Sequence, residues 1–215
     1  MGIDIHGLPR PKLRGRLHLA AALASVLGLV LLLRVADGSL AHASAWVYGS
    51  AAVLLYLSSG VYHVFTQSPR AMRVMQRVDH SMIYVLIAGT FTPFGLLVLD
   101  GGWRWTSLAV MWSGALLGVV LTITAFERYR KLVAALYIVL GWAGLMLLPP
   151  LIDRPLLLAL VVLGGGLYTM GAVLFALRWP ALSPRWFGYH EVWHVLVVAA
   201  GGVLYLANFE LVRGA

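Results

Sequence analysis

The chain has no cysteine and few charged residues. Among 215 residues there are 16 Lys and Arg but only 8 Asp and Glu, so charged residues make up 11% of the sequence against 61% hydrophobic residues. The absence of cysteine excludes disulfides and thiolate metal sites. The shortage of charge excludes an ordinary soluble domain, in which about a quarter of the residues are charged.

Seven apolar runs have the length of about 20 residues that a helix needs to cross the roughly 30 Å hydrocarbon core of a bilayer. They cover approximately residues 17–33, 45–65, 80–99, 103–126, 132–148, 156–177 and 190–211. The short connections leave no room for a separate soluble domain, and lipid tolerates no unsatisfied backbone polar group. We therefore predict an all-α polytopic membrane protein in which residues 1–215 form a single seven-transmembrane-helix bundle.

The basic residues are distributed among the connecting segments in a way that predicts orientation. If the N-terminus is cytoplasmic and the chain crosses seven times, twelve of the 16 Lys and Arg residues fall in cytoplasmic segments. The positive-inside rule describes this bias. The pI of about 10.2 therefore indicates orientation and contact with anionic lipid headgroups, and no nucleic-acid partner is expected. We predict a cytoplasmic N-terminus, a C-terminus outside, and a first helix that is retained.

Three histidines are placed so that they can meet at the cytoplasmic face. His63 lies near the cytoplasmic end of the second predicted span, and His190 and His194 lie at the start of the seventh. Their spacing of four residues puts His190 and His194 on one helix face. Three histidine ligands leave a fourth position open for water, which is typical of catalytic zinc. We predict Zn²⁺, although other transition metals also bind imidazole.

The segment from His190 to His194 also matches the H-E-x-x-H pattern of zinc metalloproteases. Such enzymes need a third ligand. After His194 the remaining candidate is Glu210, sixteen residues further on, which is roughly 24 Å along the same helix. Since Glu210 cannot reach the metal, the third ligand has to come from upstream. This weakens a protease role for Glu191 and leaves open a role as a base near the metal.

Two more polar residues are expected beside the metal. Asp79 stands at the cytoplasmic start of the third predicted span, where it can hold water on the metal or orient a ligand imidazole. Ser59 precedes His63 by four residues and therefore shares its helix face. Two alternatives stay open. Asp79 can instead cap the N-terminus of its helix, and Ser59 can instead serve close helix packing.

The other histidines receive simpler interpretations. His80 follows Asp79 directly and so points about 100° away round the helix, which disfavours contact with the metal. For His18 and His42 we expect interfacial or simply hydrogen-bonded side chains.

Three sequence blocks, taken together, resemble the hemolysin III proteins, the bacterial branch of the progestin and adiponectin receptor family. The blocks, in order, are Ser59-x-x-x-His63, Asp79-His80-Ser81 leading into the segment AGTFTP at 88–93, and His190-Glu191-x-x-His194. The resemblance covers nearly the whole chain. It implies a seven-helix bundle in the bacterial inner membrane.

The resemblance also implies a chemistry. Zinc is expected near the cytoplasmic face on His63, His190 and His194, accompanied by Asp79 and Ser59. Related seven-helix members, including the alkaline ceramidases, hydrolyse lipid amides with this constellation. By resemblance, a zinc-bound water attacks an amide or ester carbonyl of a lipid, with Asp79 as general base and Ser59 as hydrogen-bond donor.

The leading hypothesis is therefore an integral-membrane zinc-dependent hydrolase with membrane lipids as partners and a lipid as substrate. One alternative is a non-enzymatic receptor or sensor with a structural zinc site. The other, suggested by the family name, is a hemolysin-like cytolysin.

Overall fold

The computed structural model describes residues 11–180, 182–183 and 185–215, and the elements formed in these ranges are helices. They are α1 (Arg16–Val35), α2 (Gly38–Phe65), α3 (Pro69–Leu97), α4 (Gly101–Ala125), α5 (Arg130–Trp142), a 3₁₀-helix (Ala143–Leu147), α6 (Leu148–Leu151), α7 (Pro155–Ala176) and α8 (Tyr189–Arg213). Within the described ranges, six of them are long and apolar enough to cross a membrane: α1, α2, α3, α4, α7 and α8. The prediction of an all-helical membrane protein is confirmed.

The fifth predicted span, residues 132–148, is not one continuous helix. The α-helix ends at Trp142, and the chain continues through the 3₁₀-helix into the four residues of α6. Pro149 and Pro150 lack backbone N–H groups, so an α-helix entering from α5 cannot keep its hydrogen bonds through them. Gly141 and Gly144 weaken the helix just before that point. The continuous 17-residue helix expected here is therefore wrong.

Helices α2 and α3 begin earlier than their apolar runs. Helix α3 starts at Pro69, and the Ser68 side chain accepts a hydrogen bond from the Ala71 backbone N–H at 3.2 Å. Asp79 consequently lies ten residues inside α3, and its alternative role as a helix cap is wrong. The polar first turns of α3 escaped the prediction because hydropathy detects the apolar part of a helix rather than its full length.

Two buried apolar clusters hold the bundle together. One joins α3, α4, α5, α7 and α8 around Tyr84, Phe94 and Met111. The other joins α1, α2, α3 and α8 around Leu32 and Tyr48. Helix α8 therefore belongs to both clusters. Its first turn lies where α2 ends and α1 begins, and this end of the bundle carries the histidines.

Candidate metal centre

Three histidine side chains converge at this end of the bundle. Their candidate ligand atoms, from His63, His190 and His194, all lie within 4.8 Å of one another. The ring centroids are 4.9 Å apart for His63 and His190, 5.0 Å for His63 and His194, and 4.7 Å for His190 and His194. His63 and His194 are buried and His190 is half-buried. The structure thus brings together the three histidines that the sequence singled out.

The donor set suits a transition metal. Tetrahedral zinc with Zn–N bonds of about 2.0–2.1 Å holds its ligand nitrogens roughly 3.4 Å apart. The candidate atoms lie within 4.8 Å of one another, which is close to that spacing. Imidazole nitrogens favour zinc and its neighbours over calcium or magnesium, which prefer oxygen ligands. The cluster can therefore hold a metal ion.

Asp79 and Ser59 border this cluster and contact each other. The Asp79 carboxylate oxygen Oδ2 lies 3.9 Å from His63 Nε2. The Ser59 hydroxyl is hydrogen-bonded to the same carboxylate. Both side chains are buried, with 9% of Asp79 and 2% of Ser59 exposed. Close helix packing is provided by the next residue, because a Cβ on Gly60 would lie 2.5 Å from Leu19 Cδ2.

His80 points away from the three histidines. Its Nδ1 lies 2.8 Å from the Gln76 carbonyl oxygen, and its ring packs edge-on against Phe126 with centroids 4.9 Å apart. Its Nδ1 is also 3.9 Å from Asp79 Oδ2, the same oxygen that lies 3.9 Å from His63 Nε2. His80 therefore belongs to the surroundings of Asp79 rather than to the metal ligands.

Glu191 has a structural role in the described chain. One carboxylate oxygen forms an ion pair with the Arg14 guanidinium. The other accepts a hydrogen bond from the Gly188 backbone N–H at 2.7 Å, at the start of α8. Only 3% of Glu191 is exposed. With both oxygens engaged, this carboxylate fixes the first turn of α8, on which His190 and His194 depend, and these contacts further weaken a protease role for Glu191.

The segment of residues 11–15 runs across the histidine end of the bundle. Its backbone donates from Lys12 to the Arg185 carbonyl at 3.1 Å and from Leu13 to the Trp186 carbonyl at 3.3 Å. Gly15 follows with φ +77°, and a Cβ there would lie 2.5 Å from His63 Cβ. Only glycine adopts this backbone conformation easily. The segment therefore packs directly against His63, one of the candidate metal ligands.

His18 and His42 have different surroundings. His42 is exposed and its Nδ1 lies 2.9 Å from the Gly38 carbonyl oxygen, as expected for a simply hydrogen-bonded residue. His18 is only 3% exposed, and its ring stacks on His194 with centroids 3.9 Å apart and 12° between the planes. An interfacial role for His18 is therefore wrong. The sequence did carry a signal, since His18 begins a helix at the same membrane face as the other three.

Comparison with known proteins finds relatives along most of the chain. A family model described as "Haemolysin-III related" matches residues 6–205. The chain is 34% identical over 197 residues to Hemolysin-3 of Bacillus cereus, covering 87% of this chain and 85% of that protein. It is 33% identical over 196 residues to the Hemolysin-3 homolog of Bacillus subtilis (strain 168), covering 87% of each.

A more distant similarity reaches animal proteins. The chain is 25% identical over 201 residues to the human monocyte to macrophage differentiation factor, covering 90% of this chain and 80% of that protein. The family match spans both histidine-bearing ends of the sequence and six helices suited to a membrane. The chain belongs to the haemolysin-III-related family and is an integral membrane protein.

Proposed function

We propose that the protein is a zinc-dependent hydrolase of the membrane that cleaves a lipid amide or ester. The observation that carries this proposal is the buried carboxylate beside an imidazole cluster. Asp79 Oδ2 lies 3.9 Å from a nitrogen of His63, whose candidate ligand atom lies within 4.8 Å of those of His190 and His194. Ionisable groups at membrane depth are costly and usually functional.

Zinc held by His63, His190 and His194 would polarise a carbonyl and make water nucleophilic at neutral pH. Three protein ligands would leave the metal able to take up a water or a substrate oxygen. Glu191 supports this arrangement from outside, because it anchors the helix turn that carries two of the ligands.

Asp79 would manage the proton in this reaction. It accepts a proton from the attacking water as the new C–O bond forms, and delivers it to the leaving nitrogen or oxygen as the amide or ester bond breaks. The products are a carboxylic acid and an amine or alcohol. Ser59, hydrogen-bonded to Asp79, holds the carboxylate in its orientation. The hydroxyl carries one proton, so we propose that Ser59 turns to donate it to the developing oxyanion once Asp79 has taken up the proton of the attacking water.

A direct test combines metal analysis with turnover. Purified protein in detergent should contain about one zinc per chain and should release fatty acid from a fluorescent long-chain acyl amide or ester. Asp79→Asn should keep the zinc and lower turnover by at least a hundredfold, as expected for loss of a general base. Full turnover by Asp79→Asn, or full turnover after removal of zinc by a chelator, would contradict the proposal.

A structural zinc is the second candidate, because the histidine cluster joins α2 to α8. In that case, zinc removal lowers the melting temperature while no lipid amide or ester is cleaved. A cytolysin, suggested by the names of the bacterial relatives, predicts leakage of a dye from liposomes. Leakage at low protein concentration without lipid cleavage would favour it over the hydrolase.

We also propose the orientation that the charge distribution predicts, with seven crossings, a cytoplasmic N-terminus and insertion in the bacterial inner membrane. Residues 130–151, including α5 and α6, would provide the fifth crossing although it is a broken helix. Since the chain has no cysteine, single cysteines at positions 12 and 215 can be labelled with a membrane-impermeant maleimide. Labelling of position 215 alone in intact spheroplasts supports seven crossings; equal labelling of both contradicts them.

A further inference from the structure

His18 is a buried imidazole whose hydrogen-bonding groups are unused within the part of the chain that the structure describes. It is 3% exposed, and neither Nδ1 nor Nε2 has a hydrogen-bond partner there. The His194 backbone is a polar neighbour but lies outside hydrogen-bonding geometry. Even a longer contact with that backbone would engage only one nitrogen. A buried polar group without a partner costs about 1–3 kcal/mol, so such groups usually face a ligand or an ordered water.

The orientation of His18 excludes it as a fourth ligand of the same ion. Its ring lies nearly parallel to that of His194, with 12° between the planes and 3.9 Å between the centroids. A metal ion on His194 would be bound through a ring nitrogen in the plane of that ring, and the stacked ring of His18 would be too far from it for a bond of about 2.1 Å. His18 thus lies beside the metal position without pointing at it.

The surroundings of His18 indicate an uncharged ligand group. Tyr56 packs edge-on against it with centroids 5.2 Å apart, and the Tyr56 hydroxyl donates a long hydrogen bond of 3.4 Å to the Val197 carbonyl oxygen. The nearby Arg14 is paired with Glu191. A neutral imidazole offers one donor and one acceptor. Its natural partner is a group that also donates and accepts, namely a hydroxyl or an amide.

We propose that His18 binds an uncharged hydroxyl or amide group of the lipid substrate, adjacent to the carbonyl held at the histidine cluster. This inference rests on the proposed hydrolase function and names its substrate class, a lipid with a neutral hydroxyl- or amide-bearing headgroup. His194 holds the metal, and the stacked ring next to it selects the headgroup.

The test compares two probes that differ in one hydroxyl, N-(2-hydroxyethyl)dodecanamide and N-ethyldodecanamide. Their equilibrium binding to the zinc-loaded protein is measured in detergent by isothermal titration calorimetry at low temperature, with zinc content and turnover measured in parallel. We expect the wild-type protein to bind the hydroxyl-bearing probe about five- to tenfold more tightly, as one added hydrogen bond allows.

His18→Phe keeps an aromatic ring to stack on His194 but removes both nitrogens, so it should bind the two probes equally while retaining zinc. His18→Gln, which keeps a donor and an acceptor, should recover part of the preference. His42→Phe is the matched control, since His42 is exposed, and it should behave like the wild type. If His18→Phe does not accumulate, His18→Leu gives the same comparison.

Three results would overturn the inference. The wild type binds both probes equally, which means that water satisfies His18. His18→Phe retains the preference. His18→Phe loses zinc together with the preference, which means that the ring only supports His194. If the wild type binds both probes equally while zinc content and turnover are intact, the inference about His18 fails and the proposed hydrolase function stands. If neither probe binds and no lipid is cleaved, the proposed function and the inference fail together.

Discussion

The two halves of the bundle differ in what they bury. We call α1, α2, α3 and α8 the site half, and α4 to α7 the lipid-facing half. The membrane-spanning stretches of α2, α3 and α8 are 44%, 61% and 33% buried inside the protein, against 28% in α4 and 17% in α7; α1, at 28%, is the exception and equals α4. Of the 14 buried polar or charged side chains in the described chain, eleven lie on the four helices of the site half. Neither α5 nor α7 contributes one within that same set.

The difference shows a division of labour. Because lipid offers no hydrogen bonds, polar side chains at membrane depth have to be enclosed by protein. The most enclosed helices therefore carry the candidate site. The lipid-facing half presents large apolar side chains to its surroundings, such as Leu163 and Leu177. Substitutions should accordingly affect metal binding in the first half and only stability in the second.

The largest effect is expected from the ligands themselves. His63→Ala, His190→Ala and His194→Ala each remove one of three imidazoles and should lower zinc from about one per chain to below a tenth of that. Elemental analysis of purified protein measures this. His42→Ala is the control, because this histidine is exposed and its Nδ1 lies 2.9 Å from the Gly38 carbonyl oxygen of its own helix. Full zinc occupancy in His63→Ala would mean that the cluster does not hold the metal.

The second largest effect is expected from breaking the ion pair between Arg14 and Glu191. Arg14→Ala leaves Glu191, 3% exposed, without its charge partner, and breaking such a buried pair costs about 3 kcal/mol. The melting temperature of the detergent-solubilised protein should fall, and zinc should bind more weakly as the first turn of α8 loosens. Arg213→Ala removes an exposed partner of Glu210 and should cost less than about 1 kcal/mol. Equal losses in the two variants would refute the structural role of Arg14.

A third comparison separates backbone strain from contact with the site. Gly15 and Gly38 both have left-handed backbone conformations, with φ of +77° and +72°. Alanine at either position should cost about 1–2 kcal/mol of stability. Only at Gly15 would the added Cβ meet His63, since nothing lies within 4 Å of a Cβ at Gly38. Gly15→Ala should therefore also weaken zinc binding severalfold, as measured by competition with a chromogenic chelator. Unchanged zinc affinity would show that His63 can move away from the added Cβ without disturbing the metal site.

The contrast between the two halves also bears on which features of the fold and the site the sequence predicts. Apolar runs locate the six helices suited to a membrane, and the charge distribution predicts His63, His190 and His194 at one membrane face. The break after α5 could also have been predicted, because Pro149 and Pro150 interrupt the apolar run and proline breaks a helix. The long apolar run outweighed them in the prediction.

The sequence did not predict the contacts that form between segments far apart in the chain. The stacking of His18 on His194 and the pairing of Arg14 with Glu191 join residues more than 170 positions apart. No local pattern marks such contacts, since each is set by how α1 and the segment of residues 11–15 pack against α8. The sequence shows that these residues are polar, but it does not show which residues they contact.

The smallest effects belong to the lipid-facing half, where they isolate packing from chemistry. A Cβ on Gly164 of α7 would lie 2.6 Å from Leu204 Cγ of α8, whereas a Cβ on the neighbouring Gly165 would meet nothing within 4 Å. Gly164→Ala should therefore cost about 1 kcal/mol through overpacking. Gly165→Ala should be neutral or slightly stabilising, because alanine favours the helix. Both variants should retain full zinc. A loss of zinc in Gly164→Ala would show that the α7–α8 contact is coupled to the histidines, so that the two halves do not act separately.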